Sequence, residues 1–273
     1  MERIDLGSGL WAGPLERPTI DAVFDACRAP GQNFNPARSN FYHYCFVRDL
    51  DAKPGTSLNW DHDKQLQHCL LIARLVHPTT VATCYSARLF YRNHQIEQIV
   101  PGPTQGLGAY AWVNGNCRRN WLTLSDMEEV RRLLISYDPE KLPRRLLRAV
   151  RHFLYACYTY ELDIRFTLVV TGLEALVNTH SRNVNWQFKK RLCMASHDVG
   201  VTITEAAAKQ AYDYRSNFVH GQLLQGDHIS ARVQESYLPL ETLLRLLIKR
   251  SMGEPQFASR FESESAIEAA YPV

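Results

Sequence analysis

An arginine and a histidine with four residues between them, Arg215-Ser216-Asn217-Phe218-Val219-His220, stand directly before Gly221. Their side chains are suited to cutting a phosphodiester without a metal. A guanidinium is a permanent planar cation that forks onto a phosphate, and an imidazole takes up and releases a proton near neutral pH. RNA supplies its own nucleophile, the 2′-hydroxyl. One group must remove that proton, another must protonate the departing 5′-oxygen, and a cation must neutralise the crowded phosphate. The spacing alone does not single out a site. Arg38/His43, Arg88/His94, Arg145/His152 and Arg191/His197 repeat it within a residue or two.

Flanking residues separate these pairs. Thr202-Ile203-Thr204-Glu205 has the form of a capping box, and Ala206, Ala207 and Ala208 follow as strong helix formers. Ala207, Ala211, Tyr214 and Phe218 then recur at four, three and four, which makes one apolar stripe. Gly221 suits the left-handed position just past a helix end, so His220 is expected at the C-terminal cap, where carbonyl dipoles favour cations. Arg215 borders the stripe. No other pair has this frame: Arg38 follows Pro36, and Arg88/His94 lies in a strand-like run.

Leu173-Glu174-Ala175-Leu176 on one predicted helix, followed about forty residues later by Tyr214-Arg215-Ser216-Asn217-Phe218-Val219-His220-Gly221, resembles the HEPN superfamily, closest to its Apea-like branch. The resemblance covers roughly the second half of the chain. It implies a helical bundle and, as in many members, a metal-independent endoribonuclease whose catalytic pair is Arg215 and His220. Family members are generally described as pairing two copies across a twofold axis, so a homodimer would bring two histidines to one site. Ser216 supplies the polar residue that catalytic members often carry after the arginine. Glu174 is the expected acidic partner of Arg215, because a partly buried arginine needs one. Asn217 could hydrogen-bond the substrate or simply face water. The resemblance implies a toxin or antiviral defence effector acting on RNA without a cofactor. Non-catalytic HEPN bundles imply a second reading, an interaction or dimerisation module for a partner protein or nucleotide. In that reading Arg215–Glu174 is a structural ion pair and His220 a helix cap.

Other groups carry chemistry of their own. Lys141, Arg144, Arg145, Arg148 and Arg151 recur at helical spacing opposite an apolar face, so Arg144, Arg148 and Arg151 form a ridge that could follow an RNA backbone or simply be solvated. Lys189-Lys190-Arg191 reads the same way. Trp112, Trp121 and Trp186 could stack bases, though each reads more simply as core. Asp61-His62-Asp63 reads as the start of a helix, because adjacent side chains diverge too much to share a metal. Seven cysteines stand at wide, irregular spacing with no Cys-x-x-Cys, which points to free thiols and gives no zinc pattern.

Composition bounds the class. Apolar residues make up 45% and charged residues 22%, as in an ordinary globular chain, and a net charge of +3 permits a nucleic-acid partner without requiring one. Met1-Glu2-Arg3-Ile4-Asp5 carries charges where a secretory signal needs an apolar core, and the apolar run 238–248 is too short to span a bilayer. A cytoplasmic protein away from membranes is expected.

The expected fold is an α+β N-terminal region followed by a mostly α-helical, HEPN-like bundle. Residues 1–124 read as a small α+β domain, with a sensing or regulatory role. Helices are predicted near 19–27 and 61–76, a strand near 41–47, a hairpin turning at Asn93-His94, and a strand at 110–113. Ser125-Asp126-Met127-Glu128 has capping-box form and opens the predicted bundle, 125–252, of five or six helices. Residues 253–273 read as a polar, loosely ordered tail.

Overall fold

The computed structural model describes residues 3–7, 9–27, 45–48, 60–78, 87–92, 95–101, 122–159, 161–180, 182–221 and 227–273. The chain divides into two compact units, 1–109 with 119–135, and 110–118 with 136–273. The predicted turn at Asn93-His94 and strand at 110–113, together with Trp112 and Trp121, lie outside the described residues.

Five short strands lie among the described residues of the first unit. β1 (Ile4–Gly7) and β2 (Leu10–Gly13) were not expected from sequence. They pair antiparallel, Ile4 opposite Ala12, and Gly7 and Gly9 take positive φ between them. Glycine is suited to that conformation, because it has no Cβ to clash. β3 (Cys45–Arg48) pairs antiparallel with β2, which completes a sheet of order β1-β2-β3. Between them α1 (Arg17–Cys27) carries Pro18 in its first turn, where a missing N–H costs nothing. α2 (Trp60–Val76) buries a continuous run from Cys69 to Val76 and includes Asp61-His62-Asp63 in its first turn. β4 (Ala87–Arg92) and β5 (Gln95–Pro101) form the predicted hairpin.

α3 (Leu124–Ser136) buries Met127, Val130 and Leu133 at a spacing of three. Its cap sits two residues earlier than the sequence suggested. Thr123 accepts from the Asp126 amide at 3.2 Å, while its own amide and hydroxyl donate to the Asp126 carboxylate at 2.7 Å each. The shorter aspartate closes the reciprocal box in place of Glu128. This helix falls largely with the first unit, whose later segment ends at Ile135.

The second unit is helical throughout its described residues. α4 (Arg144–Tyr158) follows Pro143 and buries Leu146, Ala149, Val150, Phe153 and Ala156. α5 (Leu162–Val177) is apolar on nearly every side, with Phe166, Val169, Val170, Leu173, Leu176 and Val177 buried. A helix of that kind belongs in the centre. α4, α6 (Val184–Asp198), α7 (Glu205–Val219) and α8 (Asp227–Gly253) all pack against it. Gly172 permits a close approach: a Cβ there would lie 2.9 Å from a Leu244 methyl of α8 and 3.4 Å from His152 of α4.

The predicted polar tail is instead part of this core. α9 (Pro255–Ala258), a 3₁₀ turn (Ser259–Phe261) and α10 (Glu264–Ala270) bury Phe257, Phe261, Ile267 and Tyr271. Their polar groups are anchored as well. Tyr271 donates its hydroxyl to Asp198 at 2.8 Å, and Arg260 donates to the same carboxylate oxygen at 2.8 Å. Few apolar residues, widely spaced, make the segment look polar when read along the chain. Among the described residues no helix is long and apolar enough to cross a membrane.

Candidate functional site

Thr204 starts the helix that carries the motif. Its hydroxyl accepts from the Ala207 amide at 3.2 Å, so the N-cap is Thr204 rather than Thr202, and Glu205 is free to meet Lys190 at 2.7 Å. Ala208 and Ala211 are buried, while Ala207 is only half-buried. Further along, Tyr214 and Phe218 meet the Phe166 ring edge-on, with centroids 5.8 and 5.7 Å away. These contacts hold α7 against α5 in one rotational setting.

That setting places Arg215 beside Glu174. The Arg215 Nη2 donates to Glu174 Oε2 at 2.8 Å, with the side chains 27% and 11% exposed. The guanidinium also lies 6.0 Å from the Tyr212 ring centroid, and its Nε is buried without a hydrogen-bond partner. Burial pushes the Glu174 carboxyl above its ordinary range, and the cations of Arg215 and then Arg148 pull against that rise. Arg148 on α4 is therefore an electrostatic neighbour of the pair. Sequence spacing gave no sign of this, whereas Tyr212 could have been found as the residue three before Arg215.

His220 caps α7. Its amide donates to the Ser216 carbonyl at 3.1 Å, and Gly221, at φ +70°, donates to the Phe218 carbonyl. The imidazole is exposed and makes no side-chain hydrogen bond or ion pair among the described residues. Five residues along a helix is a turn of about 140° and an advance of about 7.5 Å. Within one chain, Arg215 meets Glu174, and His220 makes no hydrogen bond or ion pair with either. Ser216 and Asn217, both half-buried, contribute no side-chain hydrogen bond there.

Arg144, Arg148 and Arg151 are exposed along α4. Arg145, expected beside them, turns inward to the carbonyls of Asn178 at 2.6 Å and Ala175 at 3.3 Å, and to Glu264 at 3.1 Å. There it satisfies carbonyls that the end of α5 leaves open. Lys141 is held by Asp138 at 2.9 Å. Arg191 is buried rather than solvated, and Trp186 is exposed rather than core.

His152, one turn beyond Arg148, stands out in the sequence only through a repeated spacing. Burial, and then the Arg148 cation, push its imidazole below the ordinary range, and its Nδ1 is buried without a partner. Among the described residues no three His, Cys, Asp or Glu side chains converge as metal ligands would. No protein-family model, curated protein or solved structure matches this chain.

Proposed function

We propose that the second unit is a HEPN-type, metal-independent endoribonuclease that works as a homodimer in the cytoplasm, as a toxin or antiviral defence effector. The first unit then serves as its sensing or regulatory part. One observation carries the reading: a solvent-exposed imidazole stands at the C-terminal end of the helix on which Arg215 is fixed by Glu174. An arginine held by a partner loses little freedom when a phosphate arrives. His220 takes the 2′-hydroxyl proton, the 2′-oxygen bonds to phosphorus, and the bond to the 5′-oxygen breaks. The symmetry-related His220 protonates that leaving oxygen. The products are a 2′,3′-cyclic phosphate and a free 5′-hydroxyl. Arg144, Arg148 and Arg151 supply cations along the approach.

The test is cleavage of single-stranded RNA in EDTA, with the ends identified chemically. Cyclic phosphate ends are expected, with activity lost in His220→Ala at an unchanged melting temperature. Full activity in that variant removes the proposal. A second reading is favoured by the burial of Glu174, which gives Arg215 a structural task of its own. In it the bundle is a non-catalytic module that dimerises or binds a partner protein or nucleotide, and no RNA is cut.

A further inference from the structure

Away from the Arg215 motif, the second unit holds a cleft of about 780 Å³. It lies where the chain leaves α5, enters α6 and ends after α10, and its lining includes Arg182, Asn183, Trp186, Arg191 and Glu268. The size falls in the ordinary range for a small-molecule site.

The walls differ in how firmly they are held. Arg191, 3% exposed, donates to the carbonyls of Tyr271 at 3.1 Å and Val177 at 3.0 Å, to Thr179 at 2.8 Å and to Gln187 at 3.0 Å. Those bonds tie three segments into a rigid floor. Glu268 receives Thr179 at 3.0 Å and His180 at 2.8 Å, and Arg191 lies 3.7 Å away, all through Oε1. Its Oε2 has no such partner among the described residues.

Two further side chains make no hydrogen bond, ion pair or ring contact among the described residues. Trp186 is 44% exposed, and its ring meets no other aromatic side chain or cation among the described residues. Arg182 is exposed and makes no side-chain hydrogen bond or ion pair there. The start of α6 between them is capped by no side chain, and Asn183 at φ 54° faces the cleft. The cleft thus offers a flat indole, an uncommitted guanidinium, a helix start and an open carboxylate oxygen around a fixed base.

We infer that this cleft binds a nucleoside monophosphate group, with the base stacked on Trp186 and the phosphate on Arg182. Stacking on an indole suits any base, because every base has a π-face. A guanidinium forks onto phosphate oxygens, and Oε2 of Glu268 accepts from a base N–H. The group comes either as a free mononucleotide or as one residue of an RNA strand. The site is independent of the nuclease reading.

Calorimetric titration of the full chain with AMP, adenosine, inorganic phosphate and hexa-adenylate tests this. Saturable AMP binding is expected with a Kd of roughly 1 mM or tighter. Adenosine and phosphate are expected to bind about tenfold more weakly, since each keeps one of the two contacts. Trp186→Ala and Arg182→Ala, both surface changes, should each weaken AMP about tenfold, while His220→Ala leaves it unchanged. Hexa-adenylate that binds much more tightly than AMP, with the same dependence on Trp186, names RNA as the source; equal affinities name the free nucleotide. Absence of saturable binding by any of the four ribonucleoside monophosphates, or affinity indifferent to both substitutions, overturns the inference.

Discussion

Glu174 decides how much of the Arg215 motif is structural. Burial raises its carboxyl, and Arg215, ahead of Arg148, works against that rise. The folded carboxyl therefore keeps its proton to a higher pH than the unfolded one. In that window the native state binds the extra proton, so this group's contribution is present at low pH and is lost as pH rises through the window. Removing Arg215 takes away the larger opposing cation and moves the window upward. Arg215→Ala should then cost about 1–3 kcal/mol near neutral pH, where an unpaired carboxylate is left half-dry. The gap to the wild type should narrow as pH falls from neutral into the acidic range and Glu174 takes up its proton. Denaturant titrations of both proteins across that range check it; a constant gap would place the loss elsewhere. The pair itself was legible from sequence, because an arginine beside an apolar stripe needs an acid. The contributions of Arg148 and His152 were not, because their approach to Glu174 and Gly172 depends on how α4 is set against α5.

At the scale of elements, α5 governs the bundle, and at Gly172 its neighbours α4 and α8 come close. Gly172→Val would drive a branched side chain into Leu244, whose methyl already lies 2.9 Å from an added Cβ. Overpacking of this kind costs about 1–3 kcal/mol and should appear as a lowered midpoint in chemical denaturation. A variant as stable as the wild type would mean that α8 can step aside. Several helices were legible because their apolar spacing is regular: α1, α2 and α7 begin and end within a few residues of expectation. The caps were less legible. Thr123 and Thr204 do the capping where Ser125 and Thr202 were expected, because alternating threonines and acids offer several registers and only the backbone path selects one. β1 and β2 are four residues each, too short for an alternation to stand out.

For the molecule as a whole, the largest revision concerns the last twenty residues. Phe257 and Phe261 meet edge-on at 5.8 Å, and Phe261 is fully buried beside Tyr271. Phe261→Ala should remove about 3–5 kcal/mol, read as a fall in melting temperature, with the tail becoming sensitive to brief proteolysis. A stable, protease-resistant variant would show that the segment does not depend on that ring. The second unit was therefore legible as a set of helices but not as a closed body, since contacts such as Tyr271 with Asp198 join residues far apart in sequence. The enclosure of α5 by four other helices also bears on descent. A replacement there must satisfy several neighbours at once. Lineages that inherit this bundle should therefore hold the central helix nearly frozen.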